Sequence, residues 1–250
     1  MPEPSHRGLT GPTALVLSDI AAFITAQLPS SVPVFVMGHS MGGGLALSLA
    51  STREYDGLVG KIRGWIVEAP FLAFPEGEEP SALKVFMGRL VGRILPRQHL
   101  KNPIPVEYLT RDEEVQKSVA DDPLCHDTGT LEGLAGMLDR TSSLSGGKWE
   151  LSKNVRSLFV THGTEDRVTS YKASRAWFDA QNVEDAEFKP YEGCLHQLHV
   201  DLCKEDFYRH VGAWILERTG DNDRDVSVEG AGIAGGGAQE MDAPKTGSKL

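Results

Sequence analysis

The order of apolar and polar positions along the chain predicts short strands alternating with helices. Thr13 to Leu28 places Leu17, Ile20, Ile24 and Leu28 at near-helical spacing, and Pro29 closes the run because it has no N–H to continue a helix. Val32 to Met37 is a short, almost wholly apolar segment, as in a strand buried on both faces of a parallel sheet. Gly42 to Ser51 resumes helical character and is rich in Leu and Ala. Trp65 to Val67 and Ser157 to His162 read as two further buried strands, and Ala186 to Tyr191 as a weaker fourth. Helices fit Tyr171 to Asp179 and Glu205 to Arg218; in the latter Phe207, Val211, Trp214, Ile215 and Arg218 share a face.

Such alternation implies an α/β fold: a mostly parallel sheet with helices on both faces. Between the second and third strands lies an excursion over about residues 75–150, too long for a structureless loop and therefore a helical cap or lid insertion. Its clearest element is Ser81 to Leu95, with Leu83, Phe86, Met87, Leu90, Val91 and Ile94 on one face and Lys84, Arg89, Arg93 and Arg97 mostly off it. The expected organisation is a core of residues 10–74 and 151–219, a cap of residues 75–150, and a Gly-rich polar tail, residues 220–250, too poor in apolar content to fold.

Composition narrows this picture. A chain of 250 residues that is 40% hydrophobic supports a globular core. No apolar stretch reaches the roughly 20 residues needed to cross a bilayer, and no charged-then-apolar segment marks a secretory signal. The net charge of -10 argues against a nucleic-acid partner, which would require clustered Lys and Arg. Three cysteines, Cys125, Cys194 and Cys203, are few and odd in number, as for free thiols in a reducing compartment.

The candidate chemistry sits at Gly38-His39-Ser40-Met41-Gly42, a G-x-S-x-G sequence between a buried strand and a helix. That context forces the serine into a strained strand-to-helix turn, the nucleophile elbow of an α/β-hydrolase; the competing reading is a glycine-rich turn with an incidental serine. Glycines two residues to either side are expected because a side chain there would collide with the strand and helix. The backbone N–H of Met41, at the helix N-terminus, lies where an oxyanion would form.

A serine hydroxyl needs a base, and the base an orienting acid, in the chain order Ser, acid, His. Gly163-Thr164-Glu165-Asp166-Arg167 follows the third strand, where ligand-facing residues of parallel sheets collect; Asp166 is the candidate acid and Glu165 the solvent-facing competitor. Tyr191-Glu192-Gly193-Cys194-Leu195-His196 follows the fourth strand and offers His196 as the base. His199 reads as structural, and His39 and His162 as packing or supporting residues. The expected reaction is acyl transfer: His196 takes the Ser40 proton, Ser40 attacks an ester carbonyl, and water cleaves the acyl-enzyme. It calls for no cofactor and no metal, and the His and Cys positions lack a zinc-ligand spacing.

The run Pro33 to Gly43 closely resembles the monoacylglycerol lipases, within the serine aminopeptidase S33-like hydrolases. The resemblance continues through Leu109-Thr110-Arg111-Asp112 and Asp121-Asp122-Pro123-Leu124, then His162 to Val168 and Tyr191 to His196, and covers roughly residues 10–218. It implies a lipid ester substrate, a monoacylglycerol or another long-chain ester, held under a cap that touches lipid. Ser81 to Leu95 is then either a lid helix making peripheral contact with a membrane or lipid droplet, or a helix whose stripe packs on the core. The same group permits a peptidase or small-ester hydrolase.

Family members carry strands and helices ahead of the pre-elbow helix, with a His-Gly loop supplying a second oxyanion N–H. Here that helix begins within about a dozen residues of Met1, so an N-terminally truncated fold is expected, with Val32 to Met37 left as an apolar edge. Loss of one oxyanion donor typically removes about 2.7–4 kcal/mol of transition-state stabilisation. The expected consequence is weak activity, or a fragment that acts only by binding.

The chain ends Ser248-Lys249-Leu250, a peroxisomal address read by the import receptor; without it the expectation is cytoplasmic. A reporter carrying residues 230–250 is expected to become punctate in cells and to turn diffuse when Leu250 is deleted; a diffuse signal from both would refute the address.

Overall fold

The apolar runs around the candidate serine and acid become adjacent strands, because only a shared sheet satisfies their backbone groups while burying both faces. The computed structural model describes residues 6–220. In chain order its elements are α1 (Thr13–Thr25), β1 (Phe35–His39), α2 (Met41–Ala50), α3 (Asp56–Val59), β2 (Gly64–Glu68) and α4 (Ala82–Gly92). Then follow β3 (His99–Lys101), α5 (Glu113–Asp121), β4 (Thr128–Thr130), α6 (Leu131–Ser145), β5 (Ser157–Gly163), α7 (Tyr171–Asp179), β6 (Asp185–Tyr191) and α8 (Lys204–Glu217). The Gly-rich segment from Asp221 onward, including Ser248-Lys249-Leu250, lies outside the described residues.

Four strands form a parallel sheet in the order β1-β2-β5-β6. Alternate residues feed opposite layers. Trp65, Val67, Leu158 and Val160 join Leu17 and Ile24 of α1, Leu47 and Leu49 of α2, and Trp177 of α7 in the main core. Ile66 and Phe159, opposite each other in register, face the other way onto Trp214 of α8. The Trp214 ring stacks on Phe159 with centroids 5.4 Å apart and meets Phe35 edge-on at 5.9 Å.

β1 departs from the expectation of a strand buried on both faces over Val32 to Met37. It begins at Phe35, its side chains are mostly half-buried, and Met37 is 47% exposed. Among the described residues it pairs only with β2, so one side of the strand lacks the neighbour that would cover it.

The insertion between β2 and β5 contains α4, α5, α6 and the antiparallel pair β3–β4. Side-chain caps start its helices: Ser81 Oγ accepts from Lys84 N, Asp112 from Glu114 and Val115 N, and Thr130 Oγ1 from Gly133 N. α6 leads back to the core, where Leu144 is buried with the α1, α2 and α7 residues. α4 buries none of its residues: Leu83 is 70% exposed, Phe86 63% and, just beyond the helix, Ile94 77%. Among the described residues the stripe therefore does not pack on the core of the sheet. Arg89 is tied to Asp139 of α6, whereas Lys84, Arg93 and Arg97 are exposed.

The expectation of three free thiols is also corrected. Cys194 and Cys203 form a disulfide with Cα atoms 6.6 Å apart, and Cys125 is the free, exposed cysteine. The pair meets because Cys203 directly precedes α8, whose Phe207 packs with Tyr191, Cys194 and Leu198.

Candidate active site

Parallel strands put their carboxyl ends on one edge of the sheet, and the candidate nucleophile, acid and base all follow such ends. Ser40 lies between β1 and α2 with φ 54° and ψ -120°, a left-handed backbone that costs a non-glycine residue energy and projects its side chain from the turn. The turn is held by Ser40 N donating to Glu68 O (2.9 Å), and by Ser40 O accepting from Phe71 N (2.9 Å) and Gly44 N (3.1 Å). A Cβ on Gly38 would stand 2.5 Å from Gly42 O, so that position requires glycine. The matching expectation for Gly42 fails: a Cβ there meets nothing within 4 Å among the described residues. The tight approach falls one residue later, at Gly43, 3.1 Å from both Gly38 O and Pro70.

Asp166 has a fully buried side chain in the turn after β5. Its Oδ1 accepts from Val168 N (2.7 Å) and Thr169 N (3.0 Å); its Oδ2 accepts from His196 Nδ1 (2.8 Å), Thr169 Oγ1 (2.8 Å) and His162 Nε2 (3.0 Å). Burial alone would raise the carboxyl, but the hydrogen bonds from His162 and His196 outweigh it and hold it well below the usual carboxylate range. Glu165, the sequence competitor, is exposed.

His196 is 2% exposed in the loop after β6. Because the Asp166 carboxylate can only accept, Nδ1 carries the proton and Nε2 keeps its lone pair. The loop is fixed on every side. Leu195 N donates to Asp201 Oδ2 (2.8 Å), Gln197 N to Leu109 O (2.8 Å), and Glu165 N to Cys194 O (3.1 Å). Asp201, also buried, takes Arg111 N (2.9 Å) and the Arg111 guanidinium, so it ties the cap segment Thr110–Arg111 to the base loop. Among the described residues the Ser40 hydroxyl makes no hydrogen bond; in hydrolases that bond often tightens only when substrate is seated.

The remaining histidines have definite places. His39 lies with its ring centroid 4.6 Å from that of His196 and 5.1 Å from that of His199, and its Nε2 is 3.2 Å from His196 O. Burial pushes its pKa down to about 4, against the raising effect of Glu68, so it is neutral near pH 7 and donates to that carbonyl. His162 sits inside β5 and shares Asp166 with His196. His199 donates from Nδ1 to both oxygens of buried Glu68, at 2.8 and 2.9 Å. That hydrogen bond raises its pKa.

His39, Glu68 and His199 each bring one possible ligand atom within 4.8 Å of the others, as do Cys194, Asp201 and Cys203. The first triplet joins β1, β2 and the loop after β6, whereas the second lies wholly within the segment between β6 and α8. In both, potential ligand atoms are already engaged: the Glu68 oxygens by His199, Asp201 by Arg111 and Leu195, and the sulfurs by each other. Glu68 and Asp201 were not singled out from sequence; a lone acid ending the apolar run Trp65-Ile66-Val67 is the one signal that points to Glu68.

A profile of the serine aminopeptidase S33 family matches residues 3–202. A relative from Schizosaccharomyces pombe is 32% identical over 221 residues, covering 86% of this chain and 56% of its own length. The monoglyceride lipase of Homo sapiens is 26% identical over 216 residues, covering 82% of this chain and 68% of its own. The chain therefore spans little more than half of the Schizosaccharomyces pombe relative. In fold it is similar to a soluble variant of monoglyceride lipase from Saccharomyces cerevisiae, with a TM-score of 0.74 at 19% identity, over 87% of this chain and 74% of that one.

The Glu68–His199 pair has a pH signature. A His pKa raised by folding gives stability that is full below the unfolded value, about 6.5, and lost as pH rises through the folded value. Urea midpoints of the native chain and His199→Gln are thus expected to differ most at mildly acidic pH and to converge toward alkaline pH. A gap that stays constant across that range would show that His199 contributes by packing alone.

Proposed function

The chain belongs to the serine aminopeptidase S33 family, and from that premise we propose that it is a serine esterase that cleaves carboxylic esters of lipids, of monoacylglycerol type, through an acyl-enzyme on Ser40. The observation that carries this reading is the 2.8 Å contact of His196 Nδ1 with the buried Asp166 carboxylate, on the same sheet edge as the strained Ser40 turn. In that arrangement Asp166 fixes the imidazole tautomer, and His196 Nε2 accepts the Ser40 proton as Oγ attacks the ester carbonyl. The Met41 N–H stabilises the oxyanion, and His196 returns the proton to the leaving alcohol. A water activated by the same imidazole then releases the acid. The monoglyceride lipases among its relatives favour this substrate class over a peptide.

A second reading is favoured by one observation, that among the described residues β1, which leads into the elbow, pairs only with β2: a chain that binds lipid esters with little turnover. A fluorophosphonate probe separates the two. Labelling of the native chain is expected to vanish in Ser40→Ala, and hydrolysis of a monoacylglycerol should fall by about 10⁴-fold in Asp166→Asn, the loss typical when the imidazole takes the wrong tautomer. An unlabelled but folded native chain would leave the binding reading.

The exposed stripe of α4, flanked by Lys84, Arg93 and Arg97, fits peripheral contact with an anionic lipid surface. Each large side chain transferred from water is worth about 1.5–3 kcal/mol when fully buried, so Phe86→Ser with Ile94→Ser is expected to weaken sedimentation with anionic vesicles at least about ten-fold. Unchanged sedimentation would remove α4 from the lipid contact.

A further inference from the structure

A small cavity beside the elbow is lined by Met41, Gly44, Phe71, Met137, Arg140 and Thr141. Arg140 supplies its charge. The residue is 6% exposed on α6, and among the described residues its guanidinium makes one hydrogen bond, Nη1 to Thr13 Oγ1 at 2.9 Å, and no ion pair. The adjacent Asp139 points outward to Arg89, with a side chain 58% exposed. Thr141 Oγ1 is spent on Phe71 O at 3.2 Å. The other lining side chains are apolar. Burial lowers the Arg140 pKa, partly opposed by the Asp139 charge, yet an arginine stays protonated in a protein. Its remaining donors are open at the cavity wall, where an anion gains a charge-assisted hydrogen bond that a neutral ligand does not.

We propose that Arg140 is the anchor of a carboxylate-binding subsite next to the elbow, which receives the acid released by ester cleavage. The source of the carboxylate rests on the esterase reading; the subsite itself does not. Water adds to the acyl carbon of the acyl-enzyme, the bond to Ser40 Oγ breaks, Oγ regains a proton from His196, and the freed acid loses its own proton to solvent. The ester is neutral at that end and the product is anionic, so a guanidinium distinguishes them. Its planar fork matches a carboxylate in two parallel hydrogen bonds. The cavity is small, so a carboxylate meets the guanidinium at its mouth and the alkyl chain remains outside it. Retention of the acid there makes hydrolysis sensitive to its own product.

Binding measured on Ser40→Ala removes turnover from the question, so an inactive enzyme does not obscure the result. Octanoate and octanol are titrated into Ser40→Ala alone and combined with Arg140→Gln or Arg140→Lys. Octanoate is expected to bind, to weaken at least about ten-fold with Arg140→Gln, as loss of a hydrogen bond to a charged group implies, and to weaken less with Arg140→Lys. Octanol should bind all three alike, which certifies an intact fold. Acetate distinguishes a fatty-acid site from a general carboxylate site: a fatty-acid site binds octanoate more tightly, whereas a general site treats both anions alike and overturns the assignment to the released acid. Octanoate affinity that is equal with and without Arg140, a loss shared by octanol, or no octanoate binding by the folded chain would overturn the subsite and leave Arg140 as a tie between α6 and Thr13.

Discussion

The arrangement turns on one buried carboxylate. Asp166 takes five donors, two backbone N–H groups, one hydroxyl and two imidazoles, drawn from its own turn, from within β5 and from the loop after β6. A carboxylate without such partners would be driven to neutrality by burial; with them it stays ionised and dictates which nitrogen of His196 is protonated. The turn is braced in turn by the neighbouring strands. Ala69 N, just beyond β2, donates to Thr161 O of β5. Ser40 N donates to Glu68 O, so the elbow hangs from the same strand. Strand pairing and acid–base geometry are therefore one structure, and a shift in β2 or β5 would be felt at the nucleophile and the base together.

How much of the fold was legible follows from periodicity and length. Tyr171–Asp179 has the bounds its pattern predicts, and β5 and β6 extend theirs by one residue at an end, because each strongly patterned segment meets one clear environment. α5 escaped notice since Glu113–Asp121 carries only two large apolar residues, and its start depends on the Asp112 cap. β3 and β4 are three residues each, too short for alternation to rise above chance. The apolar stripe of α4 was fully legible, but whether it faces core or solvent depends on the partner, and periodicity carries no partner.

The candidate site divides the same way. Ser40, Asp166 and His196 stand in local motifs at strand ends, so sequence could nominate each of them. Glu68 and Asp201 reach His199 and Arg111 across 131 and 90 positions of chain, and their roles exist only once β2, the cap segment and the loop after β6 are side by side. Glycine illustrates the limit within a motif. The G-x-S-x-G pattern marks Gly38 and Gly42 alike, yet steric demand falls on Gly38 and on Gly43 outside the pattern, because Pro70 after β2 approaches from another part of the chain.

Charge must be read at the scale on which it acts. The net charge of -10 disfavours a polyanion that contacts much of the surface. It does not govern a single helix, because exposed charges beyond about 8–10 Å are screened at physiological ionic strength. Near α4 the local groups are Lys84, Arg93 and Arg97, with Arg89 withdrawn into its pair with Asp139. Inside the molecule the balance is set residue by residue: Asp166, Glu68 and Asp201 are buried with donors converging on each, whereas Arg140 is buried with one neutral acceptor. The acidic surplus of the chain compensates that last charge only in part, through Asp139, whose side chain is paired outward with Arg89. Among the described residues a guanidinium with one neutral hydrogen-bond partner beside the elbow has the polarity of an anion site at the place where the proposed chemistry would generate an anion.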